Sequence, residues 1–299
     1  MSLLRRKVII EAGDAAAMVE DGMIVGFGGF ITSSVPMLII REIIKRRVKD
    51  LYVVAPSSAG LNIDLLIAAG CVRKLLTAYM GGEHYCAIAP FFRIAVQNGE
   101  LELFECDEAQ FYCALRAGAQ HLPFLPWRTG VGTSYPEVNP EMKLFQDPIK
   151  GETLLAVPGV KMDLAFIHAA HADPYGNVQH VGTGFGDRAF HRNAKKTVVQ
   201  VEKIIPNEEI RKNPIATSIH GADAIVRAPY GAHPYASPGY YVEDDDNIRE
   251  YVAAANAYAR KADRGPIDAY LEKYVYGPET HGDYLDVIGA KKLISLYEY

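Results

Sequence analysis

Cysteine is scarce: only Cys71, Cys86, Cys106 and Cys113 occur, with no Cys-x-x-Cys pair. A disulfide framework and a structural zinc site are therefore not expected, whereas reduced thiols are. No apolar run approaches the ~18–20 residues of a membrane span. The opening Met1-Ser2-Leu3-Leu4-Arg5-Arg6-Lys7 lacks an apolar signal core, so a cytoplasmic location is the expectation. Charge of one sign is not concentrated either. Lys and Arg total 31 and Asp and Glu 36, a formal net charge of −5, and no basic block is longer than Lys45-Arg46-Arg47. That balance argues against a general nucleic-acid binder. Internal repeats and low-complexity tracts are missing as well. What remains is a chain of 299 residues, 49% hydrophobic and 22% charged. It is long enough to bury a substantial core as one large domain or two modest ones.

The first third alternates helical and strand signals. Ile9 to Glu20 has helical composition, Asp21-Gly22 stops it, and Met23 to Phe27 has the look of a short buried strand. A glycine-rich turn follows, then Val35 to Arg47 with helical spacing, Ser34 as its cap and Pro36 in its first turn. Leu51 to Ala55 is a second strand, which completes a βαβ unit and predicts a parallel sheet. The alternation continues through helices at 61–69, 89–97 and 107–120 and strands at 75–80 and 101–106. Residues 122–151, with five prolines, are predicted to be loop-rich and too long for a plain connector. Strand signals return at 153–157, 164–168, 197–201 and 224–226, and 244–299 is predicted to be a mostly helical tail. The expected fold class is α/β: an open, mostly parallel sheet with flanking helices, forming a single domain over 1–299.

Three loops should share the carboxyl edge of that sheet, where open α/β folds bind ligands. Gly28-Gly29-Phe30-Ile31-Thr32-Ser33-Ser34 follows the first strand. Its glycines permit positive φ and close approach, and free amides and hydroxyls at a helix start attract anions. A tight strand-to-helix turn explains the glycines equally well. The segment is neither a dinucleotide fingerprint, because Ile31 stands where a third glycine would fall, nor a P-loop. Pro56-Ser57-Ser58-Ala59-Gly60 follows the second strand, and Glu108 stands where a later strand passes into a helix. A carboxylate there suits a base, a nucleophile or a substrate anchor, or else complements the helix dipole. Downstream, Arg128 precedes Gly132, Thr133 and Ser134, a guanidinium beside small and hydroxyl-bearing residues. His168 and His171 have no third ligand placed by sequence, so no metal site is expected. His233, in a Gly/Pro loop, is a further candidate for substrate contact.

Residues 21–36, Asp21-Gly22-Met23-Ile24-Val25-Gly26-Phe27-Gly28-Gly29-Phe30-Ile31-Thr32-Ser33-Ser34-Val35-Pro36, resemble the glycine-rich signature of the A (alpha) subunits of family I coenzyme A transferases. Leu122 to Pro126, Gly151 to Pro158, Asp163 to Ala169, Ala228 to Pro234 and Gly289 to Ile294 resemble the glutaconate CoA-transferase branch. The likeness spans nearly the whole chain. Two positions depart from the signature: Ser34 replaces a usual glycine, and Gly26 a larger apolar residue. The resemblance implies that CoA passes through a covalent thioester on a glutamate of a B subunit, in a Ser-Glu-Asn-Gly-like motif. This sequence has no such motif, so a separate B chain is implied, in a heterotetramer or larger assembly, with an acyl-CoA thioester as substrate and no bound cofactor. Gly28, Gly29, Phe30, Thr32, Ser57, Ser58, Gly132, Thr133 and Ser134 are then expected to contact the acyl or CoA part. Unoccupied amides of the Gly28-Gly29 turn would stabilise an oxyanion. Steroid-ring-opening CoA hydrolases of the same superfamily carry an acid and an arginine in their alpha chain, and Glu108 and Arg128 match these by local context. Hydrolase, decarboxylase and non-catalytic acyl-CoA-binding subunits are therefore the alternatives.

Overall fold

The computed structural model describes residues 6–297. Most of the opening segment, on which the expected lack of a signal core rests, and the last two residues lie outside the described residues. Among the described residues, seven mutually parallel strands form the body of the central sheet: β1 (Ile24–Phe27), β2 (Leu51–Val54), β3 (Val72–Leu76), β4 (Glu102–Phe104), β5 (Met162–Ala172), β6 (Ala194–Ile204) and β7 (Ala224–Arg227). Their spatial order is β4-β3-β2-β1-β5-β6-β7. The chain builds outward from β1 in one direction, then returns to its other side through β5. The gap beyond the carboxyl ends of β1 and β5 is thus a topological switch point, where doubly wound sheets place ligands.

Register explains the two-sided core. On β5, Leu164 and Phe166 face one cluster, while Ala165 and Ile167 face the other. Helices α1 (Ala12–Ala17), α2 (Met37–Lys45), α3 (Leu61–Ala68), α4 (Pro90–Gln97) and α7 (Asp245–Lys261) cover the first face. Helices α5 (Glu108–Ala119) and α6 (Asp187–Asn193) cover the second. The period-two alternation of large apolar residues fixes which side each strand presents.

Several boundaries differ from the sequence expectations. The first helix is shorter than predicted, and α2 starts at Met37 with Pro36 as N-cap and no side-chain cap bond. Ser34 cannot serve as that cap, since its φ is +56° and its amide donates to Ala236 O. The predicted strand at 75–80 splits into β3 and a two-residue strand, Tyr79–Met80. The largest departure is the segment expected to be loop-rich. Phe124–Trp127 and Lys143–Gln146 pair antiparallel with Thr153–Pro158 to make a three-stranded flap. The C-terminal region is helical as expected, from α7 through Ala290–Ser295.

Asp64 on α3 ties three helices together. Its carboxylate accepts the Phe92 amide at 2.7 Å, the Phe91 amide at 3.3 Å and the Tyr251 hydroxyl at 2.7 Å. Complete burial nonetheless outweighs these bonds and raises its pKa from 3.8 to about 6. The folded chain therefore holds this proton more tightly than the unfolded chain. The resulting stabilisation is complete below the unfolded value and is lost as pH rises through about 6. Urea titrations of the wild type and Asp64→Asn should show the wild-type advantage shrinking as pH rises across that window. A pH-independent difference would contradict the perturbed carboxyl.

Candidate active site

The Gly28-Gly29 turn sits at the switch point, directly after β1, with the Gly28 amide donating to Phe166 O on β5 at 2.8 Å. Its amides are not bare. The Gly29 amide donates to Asp187 Oδ1 at 3.0 Å, Phe30 to Ser33 O at 2.9 Å and Ile31 to Ser58 O at 3.2 Å. The expectation of free oxyanion-binding amides at the paired glycines is corrected accordingly: a buried carboxylate already occupies that position. The glycines are required for packing instead. A Cβ on Gly28 would overlap Asp187 Oδ1, and Gly29 has φ +92° with Ser34 O where a Cβ would go.

Asp187, 1% exposed, opens α6 and also accepts from His180 Nε2 at 2.9 Å. The other ring nitrogen, His180 Nδ1, lies 2.6 Å from Ser218 Oγ. The His180 and Ser218 end of this Gly29–Asp187–His180–Ser218 chain lines a cavity of about 430 Å³, together with Gly182, Thr183, Phe185, Arg188 and Ile215, among others. Phe185 stacks on Phe30, ring centroids 5.1 Å apart, which joins the glycine turn to the cavity wall. Residues 228–241 hold the turn from behind: Ser34 N donates to Ala236 O and Ala236 N to Thr32 O.

The second loop brings Ser57 to Glu108. Ser57 Oγ lies 3.0 Å from Glu108 Oε1 and 3.2 Å from the Tyr112 hydroxyl, while Ser58 supplies the carbonyl that accepts Ile31 N. Asp107 caps α5 by accepting the Gln110 amide, and the Gln110 side chain returns the bond to Asp107 N. This capping box aims the first turn of α5, which leaves the Glu108 carboxylate exposed at the sheet edge. Glu108, Ser57 and Tyr112 thus form one hydrogen-bonded group.

Arg128 does not join it. Its guanidinium is 76% exposed on the flap and ion-paired with Glu152. Gly132, Thr133 and Ser134 are exposed on the same flap, where the Thr133 hydroxyl donates to Gly130 O. His233 is also removed from any substrate contact. It is fully buried, with Nδ1 2.7 Å from the Tyr284 hydroxyl and Nε2 3.1 Å from Asp244 Oδ2. His168 is buried within β5 between Gln200, Ser237 and Glu202. Among the described residues, no cluster of three or more His, Cys, Asp or Glu side chains is placed to hold a metal ion.

Sequence reasoning passes over the segment Gly182-Thr183-Gly184-Phe185-Gly186-Asp187 and the arginines that follow it. The glycine spacing is visible there. The strand before it, Val178–Gln179, is only two residues long, so no strand-to-loop transition marks the place.

A coenzyme A transferase family model matches residues 9–228. The chain belongs to the coenzyme A transferase family. The A chain of glutaconate CoA-transferase from Acidaminococcus fermentans is 30% identical, covering 97% of this chain and 94% of that one. The crystal structure of that transferase superimposes with a TM-score of 0.90 at 31% identity, covering 97% of this chain and 96% of its own. The cholesterol ring-cleaving hydrolase IpdA subunit of Mycobacterium tuberculosis is 34% identical, covering 81% of this chain and 86% of its own length. An uncharacterised protein of Archaeoglobus fulgidus is 36% identical over 92% of this chain, but the chain spans only 60% of its length.

Proposed function

We propose that this chain is the alpha subunit of a heteromeric CoA-transferase, which moves CoA between an acyl-CoA and a carboxylic acid while the attacking glutamate comes from a separate B chain. The observation that carries this reading is the hydrogen-bonded Glu108–Ser57–Tyr112 group at the carboxyl edge of the sheet, its carboxylate exposed, on a fold that matches a transferase of this family over 97% of the chain. In this role Glu108 shuttles a proton at the reacting carboxyl or thioester, with Ser57 fixing its orientation. Phe30, Thr32 and the cavity wall shape the acyl site, and the Gly28-Gly29 turn acts through Asp187 rather than by direct amide donation. Arg128, Gly132, Thr133 and Ser134 ride on the flap and meet substrate only if the flap lies over the edge in the assembled enzyme. Phe185 and Ile215, the latter 91% exposed, give the cavity wall an apolar, exposed part, which suits cover by the B chain in a soluble, cytoplasmic heterotetramer or larger complex.

Co-purification with the partner chain, followed by an acyl-CoA and acid screen read by mass spectrometry, tests the proposal. Transfer of CoA to an added acid supports it, and its absence with every donor and acceptor pair overturns it.

A second reading, a CoA-thioester hydrolase, is favoured by the ring-cleaving relative at 34% identity together with a Glu108 that stands free of any ion pair among the described residues. Borohydride trapping separates the two. A trapped enzyme–CoA thioester on the B chain marks a transferase, and turnover without one marks a hydrolase.

A further inference from the structure

We infer that a second anion site lies between α5 and α6, where Arg116, Arg188 and Arg192 would hold a carboxylate or phosphate of the ligand engaged at Glu108. The inference rests on the CoA-transferase reading above and deepens it. The three arginines line a cleft of about 320 Å³ with Tyr112 at its mouth. The Tyr112 hydroxyl also lies 3.2 Å from Ser57 Oγ, so this one side chain joins the cleft to the Glu108 group. Arg188 lines the switch-point cavity as well, and the two spaces therefore share one guanidinium.

Charge makes the cluster unusual. Arg188 and Arg192 lie four residues apart on one short helix, and Arg116 faces them from α5. Like charges at that spacing oppose helix formation. All three are exposed and, like Arg46 and Arg47, none is ion-paired among the described residues; what sets them apart is that they line one cleft. The guanidinium named from sequence as the anion holder, Arg128, is already neutralised by Glu152. In a chain of net charge −5, three arginines without a carboxylate partner lining one cleft supply the local positive field that an anionic ligand needs. Their planar forks match the paired oxygens of carboxylates and phosphates.

Both sources of such oxygens occur in the proposed reaction: the free carboxylate of a dicarboxylic acyl group, and the phosphates of CoA. Calorimetric titration of the co-purified complex distinguishes them with glutaryl-CoA, butyryl-CoA and butyryl-pantetheine as probes. In the double variant Arg116→Gln/Arg192→Gln, a carboxylate ligand predicts that glutaryl-CoA alone weakens, by about tenfold or more. A phosphate ligand predicts that both CoA esters weaken by a similar factor while butyryl-pantetheine is unchanged. Arg46→Gln, an exposed arginine just past the C-terminus of α2, controls for net charge. Unchanged affinity for all three probes overturns the inference. So does equal weakening of all three, or release of the partner chain on gel filtration, which would assign the arginines to an acidic face of the partner. Because binding is read without turnover, a wild-type complex that binds the probes yet transfers no CoA contradicts the transferase reading alone.

Discussion

In the assembled complex, Glu108→Gln is expected to lower kcat by about 10²–10⁴-fold, the range for removing a positioned general acid–base, with little change in the melting temperature. The amide oxygen still accepts the Ser57 hydroxyl, so the 3.0 Å contact and the first turn of α5 survive. What is lost is the charge of the carboxylate and its capacity to take up and give back a proton. KM should move much less than kcat, because the group acts on the reacting atoms rather than on the bulk of the ligand. Ser57→Ala and Tyr112→Phe, which leave the carboxylate in place but loosen its orientation, should have smaller effects in the same direction. Turnover within twofold of wild type in Glu108→Gln would assign this chain a purely binding role, with the chemistry wholly in its partner.

The second large effect concerns stability. Asp187→Ala removes the acceptor for the buried Gly29 amide and the partner of His180, whose side chain is 5% exposed. Leaving a buried hydrogen-bonding group without its partner typically costs about 1–3 kcal/mol, and here the Gly29 amide and the His180 ring are both left so. Asp187→Asn should cost less, since its carbonyl oxygen can still accept the Gly29 amide and only the His180 contact is lost. Urea unfolding at neutral pH measures both variants. If the alanine variant were as stable as the asparagine one, Asp187 would not be holding the turn. The same substitution should also reduce acyl-CoA binding at temperatures where the chain remains folded, since the Phe30–Phe185 stack and the His180 part of the cavity wall depend on that anchor.

Local patterns make much of this architecture legible. Met23 to Ala55 carries a short apolar run, paired glycines, a helical stretch and a second apolar run, and it folds as β1, turn, α2 and β2. Glu108 is readable as a sheet-edge residue because Phe104 ends a strand and Asp107-Glu108 opens a helix. Of the flap's three strands only the one at 153–157 is readable; the other two escape notice because Pro126, Pro136 and Pro140 read as strand breakers, and because both carry only exposed or half-buried residues. The occupied amides cannot be read locally at all. Gly29 meets its acceptor 158 positions along the chain, and no periodicity links the two. The pairing of Arg128 with Glu152 is likewise set by the register of the flap, which commits a candidate for substrate contact to the residue just before the neighbouring strand.

The correction at the glycine turn also shifts where oxyanion stabilisation should be sought. With Gly28 and Gly29 committed to Phe166 O and Asp187, developing negative charge must be met by side chains at the cavity or by the partner chain. The cleft that Arg116, Arg188 and Arg192 line with Tyr112 makes the first of these concrete for a remote anionic group. The reacting carbonyl itself lies closer to Glu108 and Ser57 in this account.

Intact-protein mass spectrometry of both chains during turnover tests the division of labour most directly. Incubated with acyl-CoA and trapped, the complex should show a CoA or acyl adduct on the B chain and an unmodified mass for this one, and this chain purified alone should transfer no CoA. An adduct on this chain, or measurable transfer by it in isolation, would contradict the assignment of the attacking group to its partner.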